Sequence, residues 1–477
     1  MVKCIIMIKQ INKVVYYLTI FGIIILVFFI RTKMLLDNPS FWFDESALGY
    51  NVLTLNYKEL FGILHLQQVA PPLFLVVSKF ISNIFGVSDI TLRLFPFIIG
   101  NLSLIMFYFV LQKYLKNKIA ILFGFIAFCF NLQILNYTVE FKPYICEVFS
   151  MCIILYSFYK FNWNNSYKNL LFNGFCLALL PWFSFISVIL LTVIYVINFS
   201  KQNFKKWLTF IFPSLLSFLL FIFYYLKINN FYKSFMLDCW EKAFLTTGNF
   251  FMFVKELFLY TMNIKLFILS AAFFFAGFVI CWFKHRKIAV FSTLIFCIFI
   301  MLSFLKQYIF YERFLLFLIP LMILISIMPL EFISFKRKVF SGIIIFFSLF
   351  LFIFPSIKIA HISFTHKFSK NSCAREFMQY LINNKKDTDY IFVDNLSANE
   401  FLYYSCYYKF ANKVIINIDN KDNRILYSTS RYTFFNNNYN TWIYAPYSKI
   451  NKNNLVYTHY KRCNCNIGEI LYVTGKK

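Results

Sequence analysis

No glycine-rich phosphate loop, internal repeat, CxxC pair or HExxH group occurs in these 477 residues, and each absence narrows what the chain can be. Without the loop, no nucleotide-driven engine is visible. The five histidines are scattered, so no metal is expected. The twelve cysteines fall mostly inside apolar runs, where a thiol acts as a small hydrophobe. Cys463 and Cys465 form an isolated CxC, read as unpaired in preference to a bound metal or a strained disulfide. Charge is also in short supply, with 14% of residues charged against 60% hydrophobic and 22% aromatic. At a mean hydropathy of +0.66, the chain carries more apolar surface than a soluble core can bury. It reads as an α-helical polytopic membrane protein.

Acids are scarcer than bases, 20 against 47, for a formal charge of +27. In a soluble protein that balance would raise nucleic-acid binding. Here the bases sit in short clusters between apolar spans, the pattern of charge that orients a membrane protein. Lys3, Lys9 and Lys13 precede an apolar run from Val14 to Ile30, which reads as a retained signal anchor with the N-terminus cytoplasmic. Further spans are expected at 91–112, 119–138, 144–160, 169–182, 184–199, 207–226, 263–283, 288–305, 313–330 and 339–357, about eleven in all. On that alternation the clusters at Lys113 to Lys118, Lys160 and Lys168, Lys201 to Lys206, Lys284 to Lys287 and Lys336 to Lys338 all face one side. Reading a single kinked span through Pro181 would send the last three of these clusters outward, so two helices are expected there.

Between the anchor and the second span, residues 31–90 form a first outer loop that is too apolar to be freely solvated. Ala47, Leu48, Val52, Leu55, Leu60, Ile63 and Leu64 approximate helical spacing, as do Leu73, Phe74, Val77, Phe80, Ile81 and Ile84. Two interfacial helices follow, the alternative being loop packed against the bundle. The stretch Asn38 to Tyr50, NPSFWFDESALGY, holds adjacent acids at Asp44 and Glu45 among Phe41, Trp42 and Phe43. Carboxylates in such company are costly to desolvate unless a cation or a proton donor meets them, which makes them candidate site residues. The competing reading is structural: Asp44 caps a helix starting at Ser46, with Glu45 in its first turn. A second outer segment, 227–262, carries Trp240 among Asp238, Glu241 and Lys242.

Beyond about residue 357 the composition turns polar. An amphipathic helix over Cys373 to Asn383 and strand-like runs at Tyr390 to Val393 and Val414 to Ile418 describe a small extracytoplasmic α/β domain over 358–477, after a membrane domain over 1–357.

The order of several short motifs carries a resemblance. FWFDESALGYN at Phe41 to Asn51 is followed by APPLF at Ala70 to Phe74, SDITLRLFPFIIG at Ser88 to Gly100 and YTVEFKPY at Tyr137 to Tyr144. Trp240 and YERFLLFLIP at Tyr311 to Pro320 complete the series. In this respect the chain resembles the polytopic C-type glycosyltransferases that use polyprenyl-phosphate sugars, a group that includes the protein O-mannosyltransferases, the aminoarabinose transferase and the bacterial family 39 branch. The resemblance implies their membrane fold in a bacterial cytoplasmic membrane. It also implies inverting transfer of a sugar from a lipid phosphate to a hydroxyl acceptor, such as an envelope glycan, lipid A or a protein, at the outer face. It makes Asp44 the general base, with Glu45 orienting the acceptor or holding Asp44. Arg93 then binds the donor phosphate or pairs with Asp44 or Glu45, against the plainer reading of an interfacial snorkelling arginine. Glu140, Lys142 and Tyr144 are expected to line the site unless the acid and base only pair with each other. Arg313 is a second phosphate candidate, and Arg31 and Lys33 are weaker ones. No cofactor beyond the lipid-linked donor is implied, the disfavoured alternative being a divalent metal on which Asp44, Glu45 and Glu140 converge.

Three other readings fit a basic, polytopic chain. A lipid-sugar flippase or transporter would place charge or broken helices at mid-membrane depth, whereas these acids sit at a rim and the span interiors are almost free of charge. An oligosaccharide polymerase or ligase would move a whole glycan. A non-catalytic scaffold would leave Asp44 dispensable.

Overall fold

The computed structural model describes residues 2–161, 163–262, 267–332, 338–368, 372–384, 390–394, 398–409, 425–428, 441–444, 457–462 and 469–473. The expected Val414 to Ile418 strand and the Cys463 and Cys465 pair lie outside these residues. The chain divides into two compact units, one of Met1–Lys33, Ala70–Phe74 and Phe95–His366, the other of Met34–Val69, Leu75–Leu94 and Lys367–Lys477.

The first unit is helical. Among the described residues of the whole chain, six helices are long and apolar enough to cross a membrane: Val14–Leu36, Asp89–Tyr114, Phe204–Ile228, Phe267–Lys284, Arg286–Phe304 and Ser341–Thr365. A bent pair, Lys118–Cys129 with Leu132–Thr138, forms a broken span or a re-entrant loop, and as one span it brings the number to seven. Its 51° bend has a local cause: the Asn131 side chain accepts from the backbone N–H groups of Gln133 and Ile134, starting a new helix where the old one would have continued. Shorter apolar helices cover Tyr144–Tyr159, Ser187–Ile197 and Leu318–Phe332. The protein is a multi-pass membrane protein.

The region around Pro181 forms two helices, as the charge pattern required. Tyr167–Ala178 ends in a single 3₁₀ turn at Leu180–Trp182, and Ser187–Ile197 follows. The sequence reading ended the next span at 226, yet the helix runs unbroken over Phe204–Trp240. No glycine or proline lies between Lys227 and Trp240 to stop it, and polarity alone does not end a helix. Close packing depends on Gly277, whose Cβ, if present, would lie 1.8 Å from the Ile325 carbonyl oxygen, so only glycine lets the Phe267–Lys284 and Leu318–Ile327 helices approach this closely.

The second apolar set, Leu73 to Ile84, lies in the helix Pro72–Phe85, whose residues from Leu75 on belong to the second unit. Of the first set only Ala47, Leu48 and Val52 lie in an α-helix, Phe43–Thr54; it stops before Leu55, and Leu60 falls in the 3₁₀ turn Glu59–Phe61. The amphipathic pattern near 373–383 gives the helix Ala374–Asn384, and Ala398–Tyr407 is a further helix. Among the described residues, five strands, β1 (Tyr390–Asp394), β2 (Ile425–Ser428), β3 (Thr441–Tyr444), β4 (Tyr457–Arg462) and β5 (Glu469–Val473), form one sheet in the order β2-β1-β3-β5-β4. β1 pairs in parallel with both β2 and β3, and β5 runs antiparallel to β3 and β4.

Gly277→Ala should lower the midpoint of thermal unfolding in detergent, because the clash is with backbone and cannot be relieved by a rotamer change; overpacking of this kind costs about 1–3 kcal/mol. Gly22→Ala, at a position with nothing within 4 Å, is the control and should leave the midpoint unmoved.

Candidate functional site

The helix carrying the acidic pair begins at Phe43, with Trp42 as its N-cap in extended conformation and making no side-chain capping bond. Asp44 and Glu45 therefore both lie in the first turn, and Asp44 is not the cap residue of a helix starting at Ser46. Consecutive residues on a helix point about 100° apart, and the two acids meet different surroundings. Asp44 is half-buried, whereas Glu45 is fully buried.

Glu45 is buried against Arg93, itself 1% exposed. Arg93 Nε donates to Glu45 Oε1 at 2.8 Å and Nη2 donates to Oε2 at 2.7 Å, a two-point pair that fixes both side chains in one plane. Nη1 donates to the Pro39 carbonyl at 2.8 Å and reaches Asn38 Oδ1 at 3.4 Å. The guanidinium lies 4.6 Å from the centre of the Phe41 ring, an arrangement that adds cation–π attraction. Of the two alternatives the sequence left for Arg93, pairing with Glu45 is the one realised. The face of the guanidinium that could grip a phosphate at two points is turned to Glu45.

Arg93 is aimed by the start of its own helix, Asp89–Tyr114. Ser88 and Thr91 exchange hydrogen bonds in a reciprocal cap: the Ser88 N–H donates to Thr91 Oγ1 at 2.8 Å, and the Thr91 N–H donates to Ser88 Oγ at 3.1 Å. This sets Asp89 one turn before Arg93 on the same face. Asp89 is 3% exposed and receives three donors: Tyr403 Oη at 2.9 Å, Tyr404 Oη at 2.6 Å and Arg375 Nη1 at 3.1 Å. Tyr404 Oη in turn accepts from the Phe41 N–H at 2.8 Å, and the Phe41 and Tyr403 rings stack at 5.0 Å. Arg375 Nη2 donates to the Asn38 carbonyl at 2.6 Å, and Ser40 Oγ donates to Glu376 at 2.6 Å. Burial and the neighbouring Asp89 charge push both tyrosine hydroxyls well above their ordinary range, so they stay protonated and act as donors. Gly49, one helical face further on, leaves room for the Tyr403 ring, which a Cβ would meet at 2.7 Å.

Asp89, Arg375, Tyr403 and Tyr404 were not singled out by the sequence reading. The cap at Ser88 and Thr91 and the four-residue spacing from Asp89 to Arg93 were legible signals. The tyrosines of LYYSCYY gave none, because nothing local says which buried acid they will meet.

The remaining candidates belong to the first unit. Glu140 and Lys142 are buried in the short connection before the helix Tyr144–Lys160, where the Lys142 N–H donates to the Glu140 carbonyl at 2.7 Å. Tyr144 is buried and makes edge contacts with Tyr137 at 5.2 Å and Phe314 at 5.7 Å. The Arg313 guanidinium lies over Trp240 at 4.6 Å and over Phe314 at 5.3 Å, so Tyr144, Phe314, Arg313 and Trp240 form one continuous aromatic and cationic patch. Arg31 Nη1 donates to the Gly100 carbonyl at 2.6 Å, and Lys33 Nζ donates to the His366 carbonyl at 2.6 Å. Among the described residues, no group of three or more His, Cys, Asp or Glu side chains is arranged to hold a metal ion.

Comparison with known proteins supports the resemblance read from the motifs. Residues 69–226 match the family described as dolichyl-phosphate-mannose-protein mannosyltransferase, a stretch that takes in Arg93, Glu140, Lys142 and Tyr144 and begins after the acidic pair. The fold is similar to that of ArnT from Cupriavidus metallidurans. The TM-score is 0.56 for its apo form and 0.55 for its form bound to undecaprenyl phosphate, in each case at 9% identity over 82% of this chain and 84% of that one. The apo oligosaccharyltransferase of Archaeoglobus fulgidus is similar at a TM-score of 0.50 and 10% identity, over 81% of this chain and 64% of that one. No curated protein matches the chain in sequence.

Removing one member of the buried pair, by Glu45→Gln or Arg93→Met, should destabilise the protein by about 3–5 kcal/mol, because the other is left as a buried charge. The double variant should recover part of that loss, and thermal unfolding of the three proteins measures the difference.

Proposed function

We propose that this chain of C-type glycosyltransferase fold transfers a sugar from a polyprenyl-phosphate donor to a hydroxyl acceptor at the outer face of the membrane, with Asp44 as the base. The observation that carries the reading is the two-point lock between Glu45 and Arg93. It fixes the first turn of a helix whose other acid, Asp44, is exposed enough to be reached by an acceptor. A proton acceptor is useful only when its position is fixed, and the fixed neighbour supplies that.

In the proposed reaction the acceptor oxygen attacks the anomeric carbon from the face opposite the phosphate. Its proton passes to the Asp44 carboxylate as the new carbon–oxygen bond forms. The bond from the anomeric carbon to the phosphate oxygen breaks with its electron pair, and polyprenyl phosphate leaves. The single displacement inverts the anomeric centre. Negative charge grows on the departing phosphate, which Arg313 and Lys142 are proposed to neutralise, with Glu140 and Tyr144 lining the donor's sugar. Arg93 and Glu45 hold the base in place and do not touch substrate. The step draws on no nucleotide or metal ion, since the phosphate is already esterified to the lipid and no diphosphate departs. A bacterial cytoplasmic membrane with the N-terminus inside is the setting this scheme requires, and the ArnT structure with undecaprenyl phosphate supports a polyprenyl-phosphate donor.

General-base help is worth about 10²- to 10⁴-fold, so Asp44→Asn should remove nearly all transfer while keeping the fold. Mass spectrometry of envelope glycolipids and glycoproteins from cells carrying each form checks this. One sugar missing from one species in the variant is the expected result, and it also identifies the acceptor. An unchanged profile rejects the reading.

A further inference from the structure

The buried carboxylate of Asp89 lies outside the proposed chemistry, yet three donors converge on it. Its donors come from two helices far along the chain: Arg375 from Ala374–Asn384, and Tyr403 and Tyr404 from Ala398–Tyr407. The contacts close a ring. Tyr404 Oη donates to Asp89 Oδ2 and accepts from the N–H of Phe41, the residue immediately before the helix cap. Phe41 is held between the Tyr403 ring, stacked at 5.0 Å, and the Arg93 guanidinium at 4.6 Å. Arg93 stands one turn from Asp89 and grips Glu45. Arg375 adds a second tie by donating to Asn38, whose side chain in turn accepts from Arg93.

We propose that Asp89, Arg375 and Tyr404 are positioning residues for the Asp44 base: the helices Ala374–Asn384 and Ala398–Tyr407 act as a buckle that fixes residues 38–45. This rests on the function proposed above. The physical reason is the directionality of the bonds. Trp42 at the N-cap makes no side-chain capping bond, and the helix's own Ser46 Oγ reaches back to the Phe41 carbonyl only at 3.3 Å, a long hydrogen bond. Here the entry is set from outside the helix, by one tyrosine hydroxyl shared between the backbone of residue 41 and the carboxylate of residue 89. Hydrogen bonds to a buried charge are among the stronger ones, and their geometry is set at both ends. Tyr404→Phe keeps the ring and its packing and removes both bonds of the hydroxyl.

The test compares purified full-length protein in nanodiscs as wild type, Tyr404→Phe, Arg375→Gln and Arg375→Lys. Hydrogen–deuterium exchange is read on peptides spanning residues 41–50. Tyr404→Phe and Arg375→Gln should each raise exchange at residues 41–46 by about tenfold, the expected loss of a hydrogen bond to a charged group, with exchange in the membrane helices unchanged. Arg375→Lys, which keeps the charge facing Asp89, should restore most of the protection. In cells, the glycan species that depends on Asp44 should fall by about 10- to 100-fold in Tyr404→Phe, the scale at which misplacing a catalytic group lowers rate. With the donor that supports it, turnover should fall while the KM for that donor stays level. Unchanged exchange at 41–46, or loss of protection spread evenly over the chain, overturns the buckle. So does a full glycan signal in Tyr404→Phe when Asp44→Asn has abolished it. If Asp44→Asn leaves the glycans intact, the proposed function fails, and exchange alone decides whether the buckle holds residues 38–45. Should Tyr404→Phe fail to accumulate, the more exposed Arg375 pair carries the same comparison.

Discussion

The structure of the second unit depends on one buried ion pair. Glu45 and Arg93 exclude water almost completely, and an unpaired charge at either place would be costly. Buried pairs of this kind add less to stability than their short distances suggest, since both partners lose their hydration. They do permit only one arrangement. The two parallel hydrogen bonds determine the orientation of the Glu45 carboxylate, the plane of the guanidinium and hence the Phe41 ring beneath it. Through the helix backbone, they also determine where its first turn begins.

Asp89 extends this constraint along the chain. A carboxylate with two tyrosine hydroxyls and a guanidinium has most of its lone-pair directions filled, so its position is as defined as that of Glu45. The two acids and their partners share Asn38 and Phe41, which makes them one network. In the proposed chemistry this network is the support and Asp44 the working group. The division explains why one acid of the motif is sealed and the other half-buried.

Much of the fold was legible in the sequence because the physics that dictates it is local. Apolar runs of about twenty residues mark spans, and basic clusters mark one side of them. Asn131 and the glycine at 277 act locally too, but only the structure shows what they meet. The helix Phe204–Trp240 was cut short because a polar stretch looks like a loop when a helix can in fact carry it. At the site, the acidic pair, Arg93 and the two helices of the first loop were visible as patterns. Which of the two acids Arg93 would bind was left open, because helix phase near a terminus depends on where the helix starts, and it starts at Phe43 and not at Ser46. The contribution of Arg375, Tyr403 and Tyr404 was beyond reach for a different reason. They stand about 300 residues from Asp89 and meet it only through tertiary structure.

That separation bears on how the molecule is made. Asp89 and Tyr403 are 314 positions apart, so at about 5–20 residues per second the ribosome takes roughly 15 to 60 seconds to supply the second after the first. Throughout that interval the FWFDES turn exists without its clasp, while one membrane helix after another is being inserted. A nascent chain stalled or cleaved before residue 375 therefore contains the acid and its arginine in an unfastened loop. In the proposed chemistry, the base gains its fixed position only after residues 375 to 404 have been made and have reached Asp89.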